Sequence, residues 1–392
     1  MIVGAGPAGV RAAEVLARFG LAPIVLDEAE RAGGQIYRRP PEGFSRPARA
    51  LYGTEAAKAT GVHRAFDAIL PRIDHRRRTS VWNIRPDRLF TLHEGRFGEI
   101  PFRQVILATG AMDRVIPLPG WTLPGVYSMG GAQIALKAQG TAIGANVAFI
   151  GSGPLLWLCA LQYAKAGARV AAVIDATPFS TKAQAIKGLR HDPGTLAKGM
   201  MLVAAVRARG IAAYEGAVPV AIEGSTRPEA VRFRHRGRER RIVCDAVAVG
   251  YGVKPEAQLA ELAGVPMVFD PVQHNTVPEH DGAGRTRVPG VYLAGDCGGI
   301  AGADAAELAG SRAAFALLGD RGIATDRQVV AALDARIARM RKFRAALDAA
   351  FPFPARLAAA VPDETILCRC ETITAGELRR AGREGPAPEL NR

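Results

Sequence analysis

Short apolar runs that end in glycine turns recur along the chain and predict an α/β protein. The runs at 24–26, 105–107 and 147–150 are continuous in apolar residues, without polar alternation. Continuous runs are typical of strands buried on both faces of a parallel sheet. A helical pattern follows the first turn, and another covers 326–351. The pattern therefore predicts Rossmann-like units of alternating strands and helices.

The first glycine turn has the features of a dinucleotide site. Its sequence is Gly4-Ala5-Gly6-Pro7-Ala8-Gly9. Gly4 permits the tight turn, Gly6 lets a pyrophosphate approach the backbone, and Gly9 lets helix and strand pack closely. Free amides at the helix start would hold a diphosphate. Asp27 and Glu28 follow the next strand near the spacing of a carboxylate that binds ribose. A turn without ligand is the alternative.

The same pattern repeats after residue 146. Gly151-x-Gly153 forms a second turn, and the next predicted strand ends at Asp175. The separation from Gly151 to Asp175 is 24 positions, as is that from Gly4 to Glu28. This match predicts two Rossmann units, with Gly151, Gly153 and Asp175 as a second nucleotide site. Leu156 replaces the third glycine, so a Rossmann unit retained as scaffold is the alternative, and any ligand would carry an unphosphorylated ribose.

These units divide the chain into five segments. We expect an FAD-type domain interrupted by an NAD(P)-type domain, followed by a helix and a cysteine-containing tail. The predicted limits are 1–118 and 253–325 for the first domain, 119–252 for the second with a small meander, 326–352 for the helix and 353–392 for the tail.

Three further short motifs are candidate cofactor contacts. Adjacent glycines in Gly33-Gly34-Gln35 let backbone pass close to a ligand, or make a plain turn. Thr109-Gly110 closes a buried strand. Gly295-Asp296 ends another, where an aspartate is well placed to bind a chain of hydroxyls; an N-cap role is the alternative.

Charge and cysteine content exclude several classes of protein. The net charge of +14 in 392 residues invites a nucleic-acid partner. However, the arginine clusters at 75–78 and 232–241 lack interleaved aromatic residues. We interpret them as solvated hairpin tips, and an acidic partner subunit or substrate stays open. Five sparse cysteines without a Cys-x-x-Cys pair exclude a disulfide scaffold and a redox dithiol. We find no transmembrane segment or zinc motif and expect a cytoplasmic protein.

Together, Gly4/Gly6/Gly9 with Glu28, Ala108-Thr109-Gly110 and Gly295-Asp296 resemble the flavoprotein superfamily with two dinucleotide-binding domains. The resemblance covers roughly residues 1–320. It implies that the 4–9 turn binds the FAD pyrophosphate and that Glu28 binds the adenosine ribose. It also implies that Gly33, Gly34, Gln35, Thr109 and Gly110 lie beside the cofactor, while Asp296 after Gly295 holds the ribityl chain.

A closer resemblance is to the α (A) subunits of heteromeric flavin amine dehydrogenases. It is carried by the residues Gly33 to Arg38, Pro119 to Val126, Gly153-Pro154-Leu155-Leu156 and Cys368-Arg369-Cys370-Glu371. That family includes opine oxidases, proline and D-hydroxyproline dehydrogenases and the cyanide-forming glycine dehydrogenase. It implies a partner β subunit of the amino-acid-oxidase type that contains FAD and oxidises the substrate. The α subunit would add a second nucleotide or flavin (NAD, ATP or FMN) and pass electrons to an acceptor, peripheral to the inner membrane.

Cys368 and Cys370 are half of an iron–sulfur ligand set. Relatives with such a module carry two further cysteines about thirty residues later, and four thiolates hold a [2Fe–2S] cluster. No cysteine lies between Cys370 and Arg392. We expect a cluster only if the native chain continues past Arg392, and the three residues before Gly4 suggest that both ends are cut. Two idle surface cysteines are the alternative.

The sequence leaves three functions open. We favour an FAD-binding α subunit of a dehydrogenase or oxidase that acts on CH–NH or CH–NH₂ donors of the opine, proline, hydroxyproline or glycine class. A self-sufficient NAD(P)H-dependent flavin reductase is the second hypothesis. The third is a non-catalytic nucleotide-binding scaffold. No residue is assigned a catalytic role, and the sequence names neither the amine nor the acceptor.

Overall fold

The computed structural model describes residues 1–44 and 46–384, and within them lie twenty strands and thirteen helices. The strands are β1 (Ile2–Val3), β2 (Ile24–Leu26), β3 (Asp74–Arg76), β4 (Thr79–Arg85), β5 (Arg88–His93), β6 (Arg96–Pro101), β7 (Val105–Leu107), β8 (Ala111–Asp113), β9 (Val126–Ser128), β10 (Asn146–Ser152), β11 (Arg169–Asp175), β12 (Ala213–Glu215), β13 (Val218–Glu223), β14 (Ala230–His235), β15 (Arg238–Val243), β16 (Ala246–Tyr251), β17 (Val253–Pro255), β18 (Met267–Asp270), β19 (Asn275–Pro278) and β20 (Val291–Leu293). The helices are α1 (Pro7–Arg18), α2 (Ala48–Tyr52), α3 (Ala56–Ile69), α4 (Met129–Ala138), α5 (Pro154–Lys165), α6 (Phe179–Gln184), α7 (Ile186–Leu189), α8 (Pro193–Arg207), α9 (Gln258–Leu262), α10 (Ala303–Asp320), α11 (Arg327–Ala350), α12 (Ala355–Ala359) and α13 (Ala375–Glu384).

A parallel sheet joins the two ends of the first unit. Its strand order is β20-β7-β1-β2-β3, and every neighbouring pair is parallel. Ile2 pairs with Val25 on one side and Ile106 on the other. All three side chains are fully buried, as expected of strands covered on both faces. Strand β20 comes from the far side of the inserted unit, so the first sheet is built from two separate stretches of chain.

Helix α1 covers this sheet and packs closely on α10. Pro7 begins α1, where its missing N–H costs no hydrogen bond. The buried face of α1 includes Val10 and Leu16. A Cβ on Gly310 of α10 would lie 2.0 Å from the carbonyl oxygen of Ala8. The missing side chain at Gly310 thus lets the two helix backbones touch beside the start of α1.

A second parallel sheet forms the inserted unit. Its order is β12-β11-β10-β16-β9, again with all neighbours parallel. Phe149, Val173 and Ala248 are fully buried from its three central strands. The antiparallel pair β8–β17 connects the two units, because these strands precede and follow the insertion. The prediction of two nested Rossmann-like units is confirmed, whereas the exact domain limits remain a prediction.

Small antiparallel sheets flank both units. Strands β4-β5-β6 belong to the first unit and β13-β14-β15 to the second. The prediction that the 232–241 arginines lie at a hairpin tip is wrong for most of them. Arg232 and Arg241 lie inside strands, and both guanidinium groups pair with Glu223. Cross-strand ion pairing therefore accounts for part of this basic cluster.

The tail returns to the inserted unit. A short bridge pairs Ile366 with Thr374, and the buried Val361 and Ala375 join the core of the second sheet. The last eight residues of the predicted tail segment, 385–392, lie outside the described residues. Among the described residues, no helix is long and apolar enough to cross a membrane.

Candidate nucleotide-binding site

The carboxyl ends of four neighbouring strands meet at one edge of the first sheet. Gly4 follows β1, Thr109 follows Ala108 after β7, and Gly295 follows Ala294 after β20. Asp27 directly follows β2. Because the strand order places these ends side by side, motifs scattered over almost 300 positions form one ligand edge. Such edges are where open α/β sheets bind ligands.

Two of the three glycines in the first turn are required by packing. Gly4 has φ of +102°, and a Cβ there would lie 2.3 Å from the carbonyl oxygen of Ala108. A Cβ on Gly9 would lie 1.8 Å from the carbonyl oxygen of Gly4. Real Cβ atoms do not approach oxygen so closely, so any side chain at Gly9 would push α1 away from the turn. The role predicted for Gly9, close packing of helix on strand, matches this geometry.

Gly6 differs because nothing in the protein crowds it. A Cβ on Gly6 would meet only the Cα of Gly34, at an ordinary 3.6 Å. Gly6 is the N-cap of α1, and no side chain caps that helix. The first turn of α1, Pro7 to Val10, also lacks an acidic residue. The amides at this helix start are therefore available to an anion.

The carboxylate that faces the glycine turn belongs to Asp27. Its Oδ2 accepts a hydrogen bond from the Ala5 amide, and Oδ1 accepts one from the Ala29 amide at 2.7 Å. Burial raises the pKa of Asp27. Glu28, the residue predicted to bind ribose, is exposed. The structure thus shows that the carboxylate facing the turn is that of Asp27, which lies one position before Glu28 and directly after the strand end at Leu26.

The 33–38 segment packs directly against the first turn. The Gly33 amide donates to the Ala5 carbonyl at 2.8 Å. A Cβ on Gly34 would lie 2.8 Å from the Cα of Gly6. Gln35 is exposed, and its Nε2 donates to the Ala111 carbonyl at 3.2 Å. Gly33 and Gly34 are therefore needed for backbone-to-backbone contact, and Gln35 connects the edge to β8.

The polar side chains that follow β7 and β20 form some of their hydrogen bonds within the protein. The Thr109 hydroxyl donates to the Glu256 carbonyl at 2.6 Å, while Gly110 has φ of +78° and open space around its Cα. Asp296 Oδ1 accepts from the amides of Ala301 and Gly302 at 2.8 and 3.0 Å. Asp296 thus fixes the loop that leads into α10. Within the described residues Asp296 Oδ2 has no hydrogen-bond partner.

The absence of a side chain at Gly295 lets α1 and α10 pack closely at this edge. It has φ of +81°, and a Cβ there would lie 2.9 Å from the Cβ of Ala8 and 3.2 Å from that of Ala306. Ala8 itself belongs to the first turn of α1. Gly295 is therefore fixed by the contact between α1 and α10 as well as by its place at the strand end.

The second glycine turn is arranged differently. Gly151 has φ of +151°, and a Cβ there would lie 1.7 Å from the Gly250 carbonyl oxygen. Gly153 is the N-cap of α5; it has open space around it, and no side chain caps the helix. Leu156 is fully buried in α5. At Gly151 and Gly153 this turn therefore has the backbone geometry of a nucleotide-binding turn.

Asp175, the acid predicted for the second nucleotide site, is buried and hydrogen-bonded within the protein. Asp175 is 0% exposed. Its Oδ2 accepts from Trp157 Nε1 at 2.9 Å and from Lys182 Nζ at 2.7 Å, and its Oδ1 accepts from the Thr177 amide at 2.8 Å. Lys182 also pairs with Glu215 at 2.7 Å. These contacts argue against Asp175 as a ribose ligand in this conformation. Sequence reasoning missed Trp157 and Lys182, which follow no nucleotide-binding spacing.

A family model described as pyridine nucleotide-disulphide oxidoreductase matches residues 1–310. The chain belongs to the pyridine nucleotide-disulphide oxidoreductase family. The prediction of a flavoprotein-type superfamily with two Rossmann units is thereby confirmed.

Curated relatives match this family member over almost its whole length. The A subunit of opine oxidase from Agrobacterium tumefaciens (strain Ach5) is 38% identical, over 98% of this chain and 79% of the relative. The HcnB subunit of hydrogen cyanide synthase from Pseudomonas aeruginosa is 32% identical, over 98% of this chain and 85% of the relative. Both names describe subunits, and both proteins fall in the groups that the sequence resembled.

Solved structures agree in fold. The L-proline dehydrogenase structure from P. horikoshii gives a TM-score of 0.64 at 18% identity, covering 98% of this chain and 66% of that one. The T. acidophilum thioredoxin reductase gives 0.59 at 23% identity, covering 82% of this chain and 97% of that one. At such identities the likeness concerns the fold alone.

This family member has no paired redox cysteines in its described part. Cys159, Cys244 and Cys297 are buried and unpaired. Burial raises the pKa of Cys159 and of Cys244 to about 12, so neither thiol is set up as a nucleophile. Cys370 is exposed and Cys368 is partly exposed. No group of three or more potential metal ligands occurs among the described residues, so the iron–sulfur assignment remains a prediction.

Proposed function

We propose that the chain is the FAD-binding α subunit of a heteromeric flavin-dependent dehydrogenase or oxidase. The substrate would be an amine or amino acid of the opine, proline, hydroxyproline or glycine class. The observation that carries the proposal is the ligand edge of the first sheet, together with 38% identity to the A subunit of an opine oxidase over 98% of the chain. Substrate oxidation is assigned to a β subunit of the amino-acid-oxidase type that contains its own FAD.

The residues of the edge fit FAD. The uncapped start of α1 and the uncrowded Gly6 suit a diphosphate. Asp27 and Asp296 suit hydroxyl groups, because each is a carboxylate at a strand end; we assign the ribose to Asp27 in place of Glu28. When bound, FAD supplies two-electron redox chemistry that no side chain provides. The protein's part is to bind and orient it.

Two observations support a partner subunit. The relatives are named as subunits, and in the part of the chain that the structure describes the ligand edge has no side chains arranged to oxidise an amine. Within the described residues the edge offers backbone amides and two carboxylates with backbone partners, and no cysteine pair. We therefore expect the isolated chain to bind flavin without oxidising an amine. The complex with its partner flavoprotein would do so.

A test uses the chain alone, the product of the adjacent gene alone and the two co-expressed. We expect flavin in the purified chain, a stoichiometric complex after co-expression, and oxidation of one of proline, hydroxyproline, glycine or an opine, followed with a dye acceptor, only by the complex. Robust turnover by the isolated chain would refute this division of labour.

The ligand is tested separately with Gly6→Ala. A methyl group at Gly6 fits the protein but fills the space that a diphosphate would use. We expect the variant to fold normally and to lose at least about tenfold in flavin affinity, the cost of disturbing one or two charge-assisted hydrogen bonds. Gly61→Ala, at a helical glycine with open space around it, is the matched control. Equal flavin content in both variants would contradict the assignment.

The two other hypotheses are distinguished by the released ligand and by NADH. An NAD(P)H-dependent reductase needs a working second site; the open Gly153 favours one, and the buried Asp175 opposes it. Rapid bleaching of bound flavin by NADH would support the reductase. Mass spectrometry that finds an adenine nucleotide without isoalloxazine would instead support the scaffold.

A further inference from the structure

A cavity of about 220 Å³ lies between the two Rossmann units, away from the ligand edge. Helix α2 and Arg46 line it from the first unit, and the ends of α4 and α5 line it from the second. Its volume corresponds to about seven water molecules at liquid density. It is large enough for a small polar ligand.

Four of the eight residues that line this cavity are polar, and their side chains present donors. Arg46, Lys137 and Lys165 contribute cationic groups. Gln162 uses its Oε1 to accept a hydrogen bond from Gln133 Nε2 at 3.0 Å, which leaves the Gln162 amide nitrogen for the cavity. An arginine, two lysines and an amide nitrogen can only donate hydrogen bonds. A ligand that satisfies them must be an acceptor.

Lys137 is the group that most needs a partner. Lys137 is 4% exposed, and within the described residues its Nζ reaches only the Ile36 carbonyl, at 3.5 Å, the outer limit of a hydrogen bond. Burial lowers the pKa of Lys137. Buried ammonium groups in proteins are normally paired. This one has an unusually poor set of contacts for a charge removed from water.

No carboxylate compensates this positive charge within the described residues. Arg46, Lys137 and Lys165 take part in none of the ion pairs that the described residues form. Lys137 and Lys165 lie in the last turns of α4 and α5, where the helix dipole favours a cation. The helix dipoles stabilise the ammonium groups of Lys137 and Lys165. They do not explain why the Arg46 guanidinium, from the other unit, lies in the same cavity.

We propose that this cavity is a binding site for a small anion, with Lys137 as its central contact and Arg46, Lys165 and Gln162 as supporting donors. The ligand class is a phosphate or carboxylate group, whose oxygens are all acceptors. Because Arg46 comes from the first unit and the other three from the second, the bound anion would connect the two units. The site shares no lining residue with the glycine edge and does not depend on the FAD assignment.

The experiment measures thermal stabilisation by inorganic phosphate and, separately, by succinate, at constant ionic strength kept with chloride. Ligand that binds the folded state raises the melting temperature, and above Kd the stabilisation grows with the logarithm of ligand concentration. The full chain is used as purified, with the variants Lys137→Met, Lys165→Met and Gln162→Leu. Lys187→Met is the matched control, because Lys187 is exposed and does not line the cavity.

We expect saturable binding of one of the two probes, weakened at least about tenfold in Lys137→Met and severalfold in Lys165→Met, the range of charge-assisted hydrogen bonds. Lys187→Met should bind as the unmodified chain does. If Lys137→Met does not fold, Lys165→Met and Gln162→Leu must bind the probe more weakly than Lys187→Met does. No stabilisation by either probe beyond that of chloride, or equal affinity in all variants, would overturn the proposal.

Discussion

The indole nitrogen of Trp157 donates to Asp175 Oδ2 over 2.9 Å, and both side chains are buried. Asp175 stands at the end of β11, the position where a Rossmann unit presents its ribose-binding acid. Lys182 lies over the ring of Trp157, 5.4 Å from its centroid, and completes the enclosure. In this conformation the hydrogen-bonding capacity of Asp175 is used by contacts inside the inserted unit.

Trp157→Phe should therefore destabilise the protein. Phenylalanine keeps the apolar volume and removes the donor, which leaves part of a buried carboxylate unsatisfied. We expect a loss of about 1–3 kcal/mol in the free energy of unfolding, measured by urea denaturation. Trp82→Phe is the control, since Trp82 is 51% exposed and its change should stay within about 0.5 kcal/mol. Equal losses in the two variants would contradict the structural role of Asp175.

Gly9→Ala should disturb both the fold and the ligand edge. The new methyl group would lie 1.8 Å from the Gly4 carbonyl oxygen, so α1 must move. We expect a loss of about 3 kcal/mol in unfolding free energy, at the upper end of overpacked sites, and a lower flavin content by absorbance. Gly61→Ala should instead stabilise α3 by about 0.5–1 kcal/mol. A Gly9→Ala variant as stable as the unmodified chain would show that the turn tolerates a side chain.

The buried thiol of Cys159 should make stability fall at alkaline pH. Burial raises its pKa from 9.0 to about 12 in the folded protein. Between these values the unfolded chain releases the thiol proton and the folded chain keeps it, so unfolding becomes easier as pH rises. From pH 8 to pH 10.5 the unmodified chain should lose about 2 kcal/mol relative to Cys159→Ala. Cys370→Ala, at an exposed cysteine, keeps Cys159 and should lose as much stability as the unmodified chain. An equal loss in Cys159→Ala would refute the assignment.

Trp121 should control access to the cysteine tail. Its Nε1 donates to the Ile366 carbonyl at 2.6 Å, and Arg369 donates to the Trp121 carbonyl at 2.6 Å. The Arg369 guanidinium also lies 4.4 Å from the centre of the indole ring. We expect Trp121→Leu to speed tryptic cleavage after Arg369 severalfold, because the tail loses this anchor. The rate should not change in Trp82→Leu, and an unchanged rate in Trp121→Leu would show that other contacts hold the tail.

Local spacing was sufficient to predict the glycine turns and the two Rossmann units, because each depends on residues close in sequence. At the acid of the first unit, spacing did not distinguish Asp27 from Glu28. Two carboxylates follow β2, and only the packing of Ala5 against that strand end determines that Asp27 faces the turn. Spacing also predicted that Asp175 ends a strand. It gave no indication that Lys182, on α6, would form an ion pair with Asp175.

Contacts between distant segments were beyond prediction from the sequence alone. Trp121 and Ile366 are 245 positions apart, and no periodicity connects them. The cavity between the units is similar, since Arg46 and Lys137 are ordinary surface-type residues until folding brings them together. Such sites are defined by tertiary structure, and their residues belong to no motif.

The order of strands in the first sheet has a consequence for synthesis on the ribosome. Four of its strands emerge within the first 107 residues, whereas β20 begins only at Val291. The five strands of the inserted sheet all lie between Val126 and Tyr251. Domains fold as units while the chain grows, so all five strands of the inserted sheet can pair while the first sheet still lacks a strand. The ligand edge is therefore completed only after the inserted sheet has formed.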